Sequence, residues 1–110
     1  MPAMPEYVTV ATVEEIPPGT GRTVQVQGIG IALYNVEGAF YAVDNTCPHA
    51  GGPLGEGHLD GCLVECPWHG WQFNLRTGER PENPDITVAR CLVRIEENQV
   101  QVALPEDFST

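Results

Sequence analysis

Four residues whose side chains can bind a metal occur as two short pairs near the middle of the chain. The first pair is Cys47 and His49, the second is Cys66 and His69, and sixteen residues separate the two pairs. Each pair lies in a segment rich in proline and glycine, next to apolar residues of the kind that form strands. Two thiols and two imidazoles at the tips of two such loops can together hold one metal centre.

These ligand types suit either zinc or an iron–sulfur cluster. Zinc binds two Cys and two His tetrahedrally, but its ligands usually occur as a Cys–Cys pair and a His–His pair. A 2Fe–2S cluster can take two Cys on one iron and two His on the other, and the mixed pairs of this chain favour that arrangement. Because imidazole is neutral, such a cluster is less negative than an all-Cys cluster and easier to reduce. The Cys spacing of plant-type ferredoxins is absent, which removes the all-Cys alternative.

The size and charge of the chain limit its function. Its 110 residues leave room for one domain, which we expect to span residues 1–110. With 15 acidic and 5 basic residues the net charge is −10, so nucleic acid and anionic membrane surfaces are unsuitable partners. An acidic surface of this kind can steer association with a basic partner.

Nothing in the sequence indicates export or membrane insertion. The first residues form neither a basic nor an apolar leader segment. No apolar run approaches the ~18 residues that a membrane span needs. We therefore predict a cytoplasmic protein whose four Cys stay reduced, since Cys and His sets in that compartment more often bind metal than form disulfides.

Alternating apolar residues between frequent Gly and Pro predict an all-β domain, with one helical turn near residues 13–16. Turns are expected at residues 28–30, 37–38 and 97–98, a Gly-rich bend at 55–61, and an extended loop at 80–85. The predicted strands cover residues 7–11, 23–27, 31–36, 39–43, 62–65, 71–75, 88–95 and 99–104. The predicted core comprises Val8, Val10, Val24, Val26, Ile31, Leu33, Phe40, Ala42, Leu92, Val100 and Val102.

The two pairs and their surroundings resemble the Rieske family, whose signature is Cys-x-His followed by Cys-x₂-His. The resemblance extends well beyond the ligand pairs, from about residue 7 to residue 104. It implies the Rieske fold, with antiparallel, sandwich-like or barrel-like sheets and a cluster-binding subdomain made of two loops, about residues 44–55 and 65–73, at one tip. It also implies a 2Fe–2S cluster with Cys47 and Cys66 on the inner iron and His49 and His69 on the outer, more exposed iron.

Four neighbouring residues distinguish this chain from the Rieske proteins of cytochrome bc complexes. Those proteins join an extra Cys of each ligand loop in a disulfide, whereas the matching positions here are Gly52 and Trp68. They also place a Ser and a Tyr after the second His, where this chain has Trp71 and Phe73. Fewer hydroxyl donors to the cluster sulfurs leave the reduced, more negative state less stabilised. We therefore predict a potential near the low end of the Rieske range, about −150 mV.

By this resemblance the chain is identified as a Rieske-type ferredoxin, similar to the ferredoxin components of multicomponent ring-hydroxylating oxygenases. Such a protein is an electron carrier and not an enzyme. The resemblance implies a monomer that takes electrons from a flavin-dependent reductase and passes them to a terminal oxygenase. The sequence contains three His, so a 2-His-1-carboxylate iron site cannot accompany the cluster. Two alternatives stay open: the small Rieske subunit of an assimilatory nitrite reductase, and a zinc-stabilised binding module.

Other reactive side chains near the ligand pairs have simpler explanations than a metal or redox role. His58 lies in the Gly-rich bend between the pairs, where a solvated side chain is expected. Cys62 and Cys91 lie in apolar strand sequence and are predicted to be buried thiols that pack as small hydrophobes. Trp68 is predicted either to shield the cluster from water or to form part of a docking face.

Overall fold

A computed structural model describes residues 6–48, 51–68 and 70–104, and over these residues the chain is almost entirely β-structure. The predicted all-β class is confirmed. Two 3₁₀ turns cover Val13–Glu15 and Leu54–Glu56. The strands, in chain order, are β1 (Val8–Thr12), β2 (Thr20–Val26), β3 (Ile29–Val36), β4 (Ala39–Asp44), β5 (His58–Asp60), β6 (Leu63–Glu65), β7 (Gln72–Asn74), β8 (Glu79–Arg80), β9 (Asn83–Thr87), β10 (Arg90–Glu96) and β11 (Gln99–Ala103).

Six of the strands form a large antiparallel sheet in the order β1-β11-β10-β4-β3-β2. Three of its connections are two-residue turns in which both residues have positive φ, the type I′ geometry that matches the twist of paired strands. Two of these turns, at residues 37–38 and 97–98, lie where the sequence predicts them. The remaining turn is at residues 27–28, so Ile29 and Gly30 belong to β3 and not to the predicted turn at 28–30.

Strand β3 is buried on both faces and separates two hydrophobic cores. Its Ile31 and Leu33 point into a core formed with β1, β4 and β11. Its Ala32 and Tyr34 point the opposite way, into a second core that also contains Phe73, Cys47 and Cys66. Since successive side chains of a strand alternate between faces, one continuous apolar strand can serve two cores.

The second core is covered by two small sheets that lie outside the large one. One has the order β5-β6-β7, and the other is the β8–β9 pair. The sequence predicts β6 and β7 but gives a bend at 55–61 and a loop at 80–85 where β5, β8 and β9 lie, so those two predictions are wrong. These strands are short, and Pro84 within β9 is tolerated because β9 is the edge of a two-stranded sheet.

The predicted core of the large sheet is largely confirmed, with one error of strand face. The buried members are Val26, Ile31, Leu33, Ala42, Val100 and Val102, while Val8, Val10, Val24 and Phe40 are partly buried against them. The prediction of Leu92 as a core residue is wrong, because Leu92 is 45% exposed. Cys91 is paired directly with the buried Ala42, so Cys91 and Val93 face the core and Leu92 faces away.

Within the part of the chain that the structure describes, no helix has the length and apolarity that crossing a membrane requires.

Candidate metal centre

The two ligand loops share one backbone construction. In each loop the N–H of the Cys donates to the carbonyl five residues later, at 2.9 Å for Cys47 and 2.7 Å for Cys66. Each Cys carbonyl in turn accepts the N–H of a glycine four residues later, Gly51 at 2.8 Å or Gly70 at 3.2 Å. Both glycines have positive φ, +76° and +74°, which favours glycine over other residues. The chain thus builds the same tight loop twice, each time with a Cys at its start.

The two loops bring the Cys47 and Cys66 side chains together in the second core. Both residues are about 1% exposed, and neither forms a disulfide. Burial raises the pKa of the Cys66 thiol, and the neighbouring Cys47 side chain raises it further. The Trp68 N–H, which donates to Cys66 Sγ at 3.4 Å, opposes this rise. A bound cation would neutralise a thiolate at the buried Cys66, so the site fits a metal that binds thiolates.

The first loop packs directly against the second through a glycine. A Cβ placed on Gly52 would lie 2.6 Å from Cys66 Sγ and 2.9 Å from Trp68 Cγ, so the site accepts no side chain at this position. The same Cβ would be 3.1 Å from the Trp68 Cβ. Positions 52 and 68 therefore face each other across the two loops, as their match to the disulfide positions of the Rieske proteins of cytochrome bc complexes implies, but neither carries a thiol.

Polar groups of the large sheet fix the end of the first loop. The buried Tyr34 hydroxyl on β3 donates to the Leu54 carbonyl. The side-chain oxygen of Asn45 accepts the Gly55 N–H at 2.7 Å and the Thr23 hydroxyl at 3.1 Å. Sequence analysis missed Tyr34 and Thr23 because it treated β2 and β3 as strands with one buried face. The signal that would have indicated a role for Tyr34 is the continuous apolar run at residues 31–34, which is typical of a strand buried on both faces.

The second loop is the tip of the β6–β7 hairpin. Val64 and Phe73 are opposite each other in this hairpin and both are fully buried. Phe73, which has no hydroxyl, therefore forms part of an apolar environment beneath the second loop. Trp68 is 49% exposed, which leaves an aromatic surface beside the ligand residues.

The remaining predicted residues have mixed outcomes. His58 is exposed, as predicted, but lies on β5 opposite Glu65 and not in a bend. Cys62 is half-buried in the turn between β5 and β6, and Cys91 is half-buried on β10, so both thiols are less enclosed than predicted. Neither lies in a ligand loop.

Of the four predicted ligands, the structure brings together Cys47 and Cys66. His49 and His69 lie outside the described residues. Each of them is nevertheless placed by sequence inside one of the two closed loops, between the Cys and the glycine that bonds to it. A donor set of two buried thiols from two matched loops fits the inner iron of a 2Fe–2S cluster.

Comparison with known proteins agrees with this site. Residues 6–95 match the family described as "Rieske [2Fe-2S] domain". The chain is 37% identical over 99 residues to "Ferredoxin CarAc" of Metapseudomonas resinovorans, a match that covers 88% of this chain and 92% of that protein.

Two solved structures are also similar. One comes from the complex of reduced oxygenase and oxidized ferredoxin in carbazole 1,9a-dioxygenase, with a TM-score of 0.83, 36% identity and coverage of 94% of this chain and 97% of that chain. The other, from Mycobacterium tuberculosis, is assigned as an NADH-dependent nitrite reductase small subunit, with a TM-score of 0.86, 25% identity and coverage of 94% and 98%. The chain therefore belongs to the Rieske [2Fe-2S] domain family, and its cofactor is a 2Fe–2S cluster.

Proposed function

We propose that this protein is a one-electron carrier whose 2Fe–2S cluster is held by Cys47 and Cys66 on the inner iron and by His49 and His69 on the outer iron. When bound, the cluster accepts and releases a single electron. The observation that carries the proposal is the meeting of two buried thiols in two loops of identical construction. Family membership and the match to a ferredoxin support it.

The residues of the chain have four tasks in this function. The two closed loops fix the ligand positions, and the second core excludes water from the sulfurs. The Trp68 N–H donates to Cys66 Sγ and so stabilises negative charge there. Trp68 itself, half-exposed beside the ligands, offers an apolar surface on which a redox partner can dock.

We expect the potential of the cluster to be low for a Rieske centre. Phe73 is fully buried where the Rieske proteins of cytochrome bc complexes have a hydroxyl donor, so that residue cannot stabilise the reduced state. The expected midpoint is near the low end of the family range, about −150 mV. A redox titration followed by the absorbance of the cluster measures it, and a clearly positive midpoint would contradict this explanation.

The proposed redox partners are a flavin-dependent reductase and a terminal oxygenase. The ferredoxin match and the similar chain from an oxygenase–ferredoxin complex support this assignment. We further propose that the carrier acts as a cytoplasmic monomer without catalytic activity of its own, since the sequence has one His beyond the two proposed ligands.

Reconstitution tests the electron-transfer function. The purified protein is combined with a flavin-dependent reductase, NADH and a terminal oxygenase of the ring-hydroxylating type from the same organism. We expect hydroxylated product only when the cluster-loaded protein is present, and none with a Cys66→Ser variant. Equal product with and without the protein, for every reductase and oxygenase pair of that organism, would contradict the proposal.

A nitrite reductase subunit is the second candidate, favoured by the structural similarity to the M. tuberculosis small subunit. The two functions differ in the lifetime of the complex, since a diffusing carrier dissociates after each transfer. Size-exclusion chromatography with a sirohaem nitrite reductase large subunit separates them. Stable co-elution would support the second candidate, and separate elution supports the carrier.

A further inference from the structure

Arg80 contacts the second ligand loop from the neighbouring β8–β9 sheet. Its guanidinium carbon lies 3.7 Å from the centroid of the Trp71 ring, and Nη2 donates to Glu82 Oε2 at 3.3 Å. The Trp71 carbonyl accepts the Cys66 N–H at 2.7 Å. A permanently charged group therefore stacks on the residue that is hydrogen-bonded to a proposed cluster ligand.

The burial of Arg80 is unusual for a charged side chain. The side chain is 18% exposed, and its Nε is buried without a hydrogen-bond partner among the described residues. Partial removal of a guanidinium from water is unfavourable, and an orphaned N–H adds to the cost. The stack and one exposed carboxylate compensate only in part. A role for this positive charge at a neighbouring group, here the proposed cluster, would explain why the arrangement is kept.

We infer that Arg80 tunes the potential of the cluster: its fixed positive charge stabilises the reduced form and raises the midpoint potential. This inference rests on the proposed function, because it requires the cluster. Reduction adds one negative charge, so a nearby cation favours the reduced state over the oxidised state. Because the Arg80 side chain is only 18% exposed, water and salt screen its charge less than they screen the exposed charges of the chain. One arginine can therefore affect the cluster although the net charge of the chain is −10. Arg80 thus partly offsets the loss of hydroxyl donors at residues 71 and 73.

The chain contains a matched control for this residue in the large sheet. Arg94 on β10 also stacks on an aromatic ring, with its guanidinium carbon 4.2 Å from the Tyr7 centroid. It also pairs with a Glu two residues later, Nε to Glu96 Oε2 at 3.5 Å. Its other partner is Gln101 on β11, and it is 48% exposed. Removal of Arg94 eliminates the same charge and the same kind of stack, away from the ligand loops.

The test is a redox titration of cluster-loaded wild type and four variants, monitored by electron paramagnetic resonance. We expect Arg80→Met to shift the midpoint to a more negative value and Arg94→Met to leave it unchanged. Arg80→Lys, which keeps the charge, should lie nearer to wild type than Arg80→Met. Glu82→Gln, which removes the opposing carboxylate, should shift the midpoint in the positive direction.

Equal midpoints for Arg80→Met and Arg94→Met would overturn the inference. If Arg80→Met does not retain its cluster, Glu82→Gln becomes the deciding variant, because it preserves the stack of Arg80 on Trp71. A Glu82→Gln midpoint that is unchanged or more negative than that of wild type would count against a tuning charge at Arg80. A wild-type protein that lacks about two iron and two sulfide per chain fails the proposed function itself. A loaded wild type with an unshifted Arg80→Met fails only this inference.

Discussion

The large sheet and the β5–β6–β7 sheet differ in what stabilises them. Strands of the large sheet are five to eight residues long, and their antiparallel registers are continuous over β2–β3, β3–β4 and β10–β11. Strands of the small sheet have three residues each. So few ladder hydrogen bonds do not hold a sheet in place, and the small sheet depends on packing around the two thiols.

The close packing of the Gly52 backbone on Cys66 Sγ is an example of this packing around the thiols. A Cβ at Gly52 would lie within 3 Å of Cys66 Sγ, and a Cβ at Gly57 would lie 2.3 Å from the Glu65 carbonyl oxygen. In the large sheet, by contrast, the nearest atom to a Cβ at Gly30 would be Asn45 Cβ at 3.6 Å, an ordinary contact. The comparison teaches that Gly52, between the two ligand loops, accepts no added volume, whereas Gly30 of β3 does. Gly21 of β2 resembles Gly52 in this respect, because a Cβ there would lie 2.2 Å from Tyr34 Cδ1.

Of the substitutions that test this difference, removal of a proposed ligand sulfur should have the largest effect. We expect Cys66→Ser to lose the cluster, because serine oxygen is a poor replacement for the soft thiolate that iron–sulfur clusters prefer. Iron and acid-labile sulfide should fall from about two each per chain to near zero. Cys62→Ser is the control, since Cys62 lies in a turn outside both ligand loops and should retain full loading. Retention of the cluster in Cys66→Ser would show that the assigned ligand is wrong.

Addition of one methyl group to each half is the next test. Gly52→Ala places a carbon 2.6 Å from Cys66 Sγ, so we expect overpacking to cost about 1–3 kcal/mol and to lower cluster retention. Gly30→Ala, with 3.6 Å of space, should change the stability by less than about 0.5 kcal/mol. Urea unfolding of both variants, with iron content measured alongside, makes the comparison. Equal losses would mean that Gly52 and Gly30 tolerate added volume equally.

The hydroxyl of Tyr34 connects the two halves, and its deletion should have a moderate effect. Tyr34→Phe removes this donor from the Leu54 carbonyl, which still accepts the Gly57 N–H at 2.9 Å, so we expect a cost of about 0.5–1.5 kcal/mol. Tyr7→Phe, at an edge of the large sheet, keeps the ring that stacks on Arg94 and should cost less than about 0.5 kcal/mol. Chemical denaturation measures both. A Tyr34→Phe variant as stable as Tyr7→Phe would argue against a linking role.

The smallest effect concerns Cys91, a thiol of the large sheet that the function does not use. Burial, with a smaller contribution from Asp44, raises the pKa of this thiol to about 12. The folded state therefore favours the neutral thiol, whose stabilising contribution is full below pH 9 and is lost as the pH rises towards 12.

At pH 9 we expect iodoacetamide to modify Cys91 at least ~100-fold more slowly in folded than in urea-unfolded protein, because the thiolate is the reactive form. Peptide mass spectrometry of timed samples gives both rates. Similar rates in the two states would show that the thiol is not protected.

The same contrast explains which features sequence reasoning predicts. Val24 to Gln27 and Gln99 to Val102 alternate strictly between apolar and polar residues, so strands of the large sheet and two of its three type I′ turns are readable from period and turn residues. His58 to Asp60 and Glu79 to Arg80 are too short to show a period. Their pairing depends on tertiary contacts with the second core, which no local pattern contains.

The candidate site shows the same limit. Cys47 and Cys66 are predictable from residue type and spacing, and the structure does place them together. Tyr34, Thr23 and Arg80 are distant in sequence from the residues they contact, so their roles depend on the packing of sheets and not on a motif. The Leu92 error has a similar cause, because a strand face can be assigned only once its neighbour is known.

The central claim is that one cluster takes two sulfur ligands from Cys47 and Cys66 and two nitrogen ligands from His49 and His69. Pulsed electron paramagnetic resonance of the reduced protein, prepared with ¹⁵N-labelled histidine, tests it directly. We predict about two iron and two sulfide per chain and couplings from two histidine nitrogens, with one coupling lost in a loaded His69→Cys variant. A colourless zinc protein, or an iron–sulfur signal without histidine nitrogen coupling, would contradict the claim.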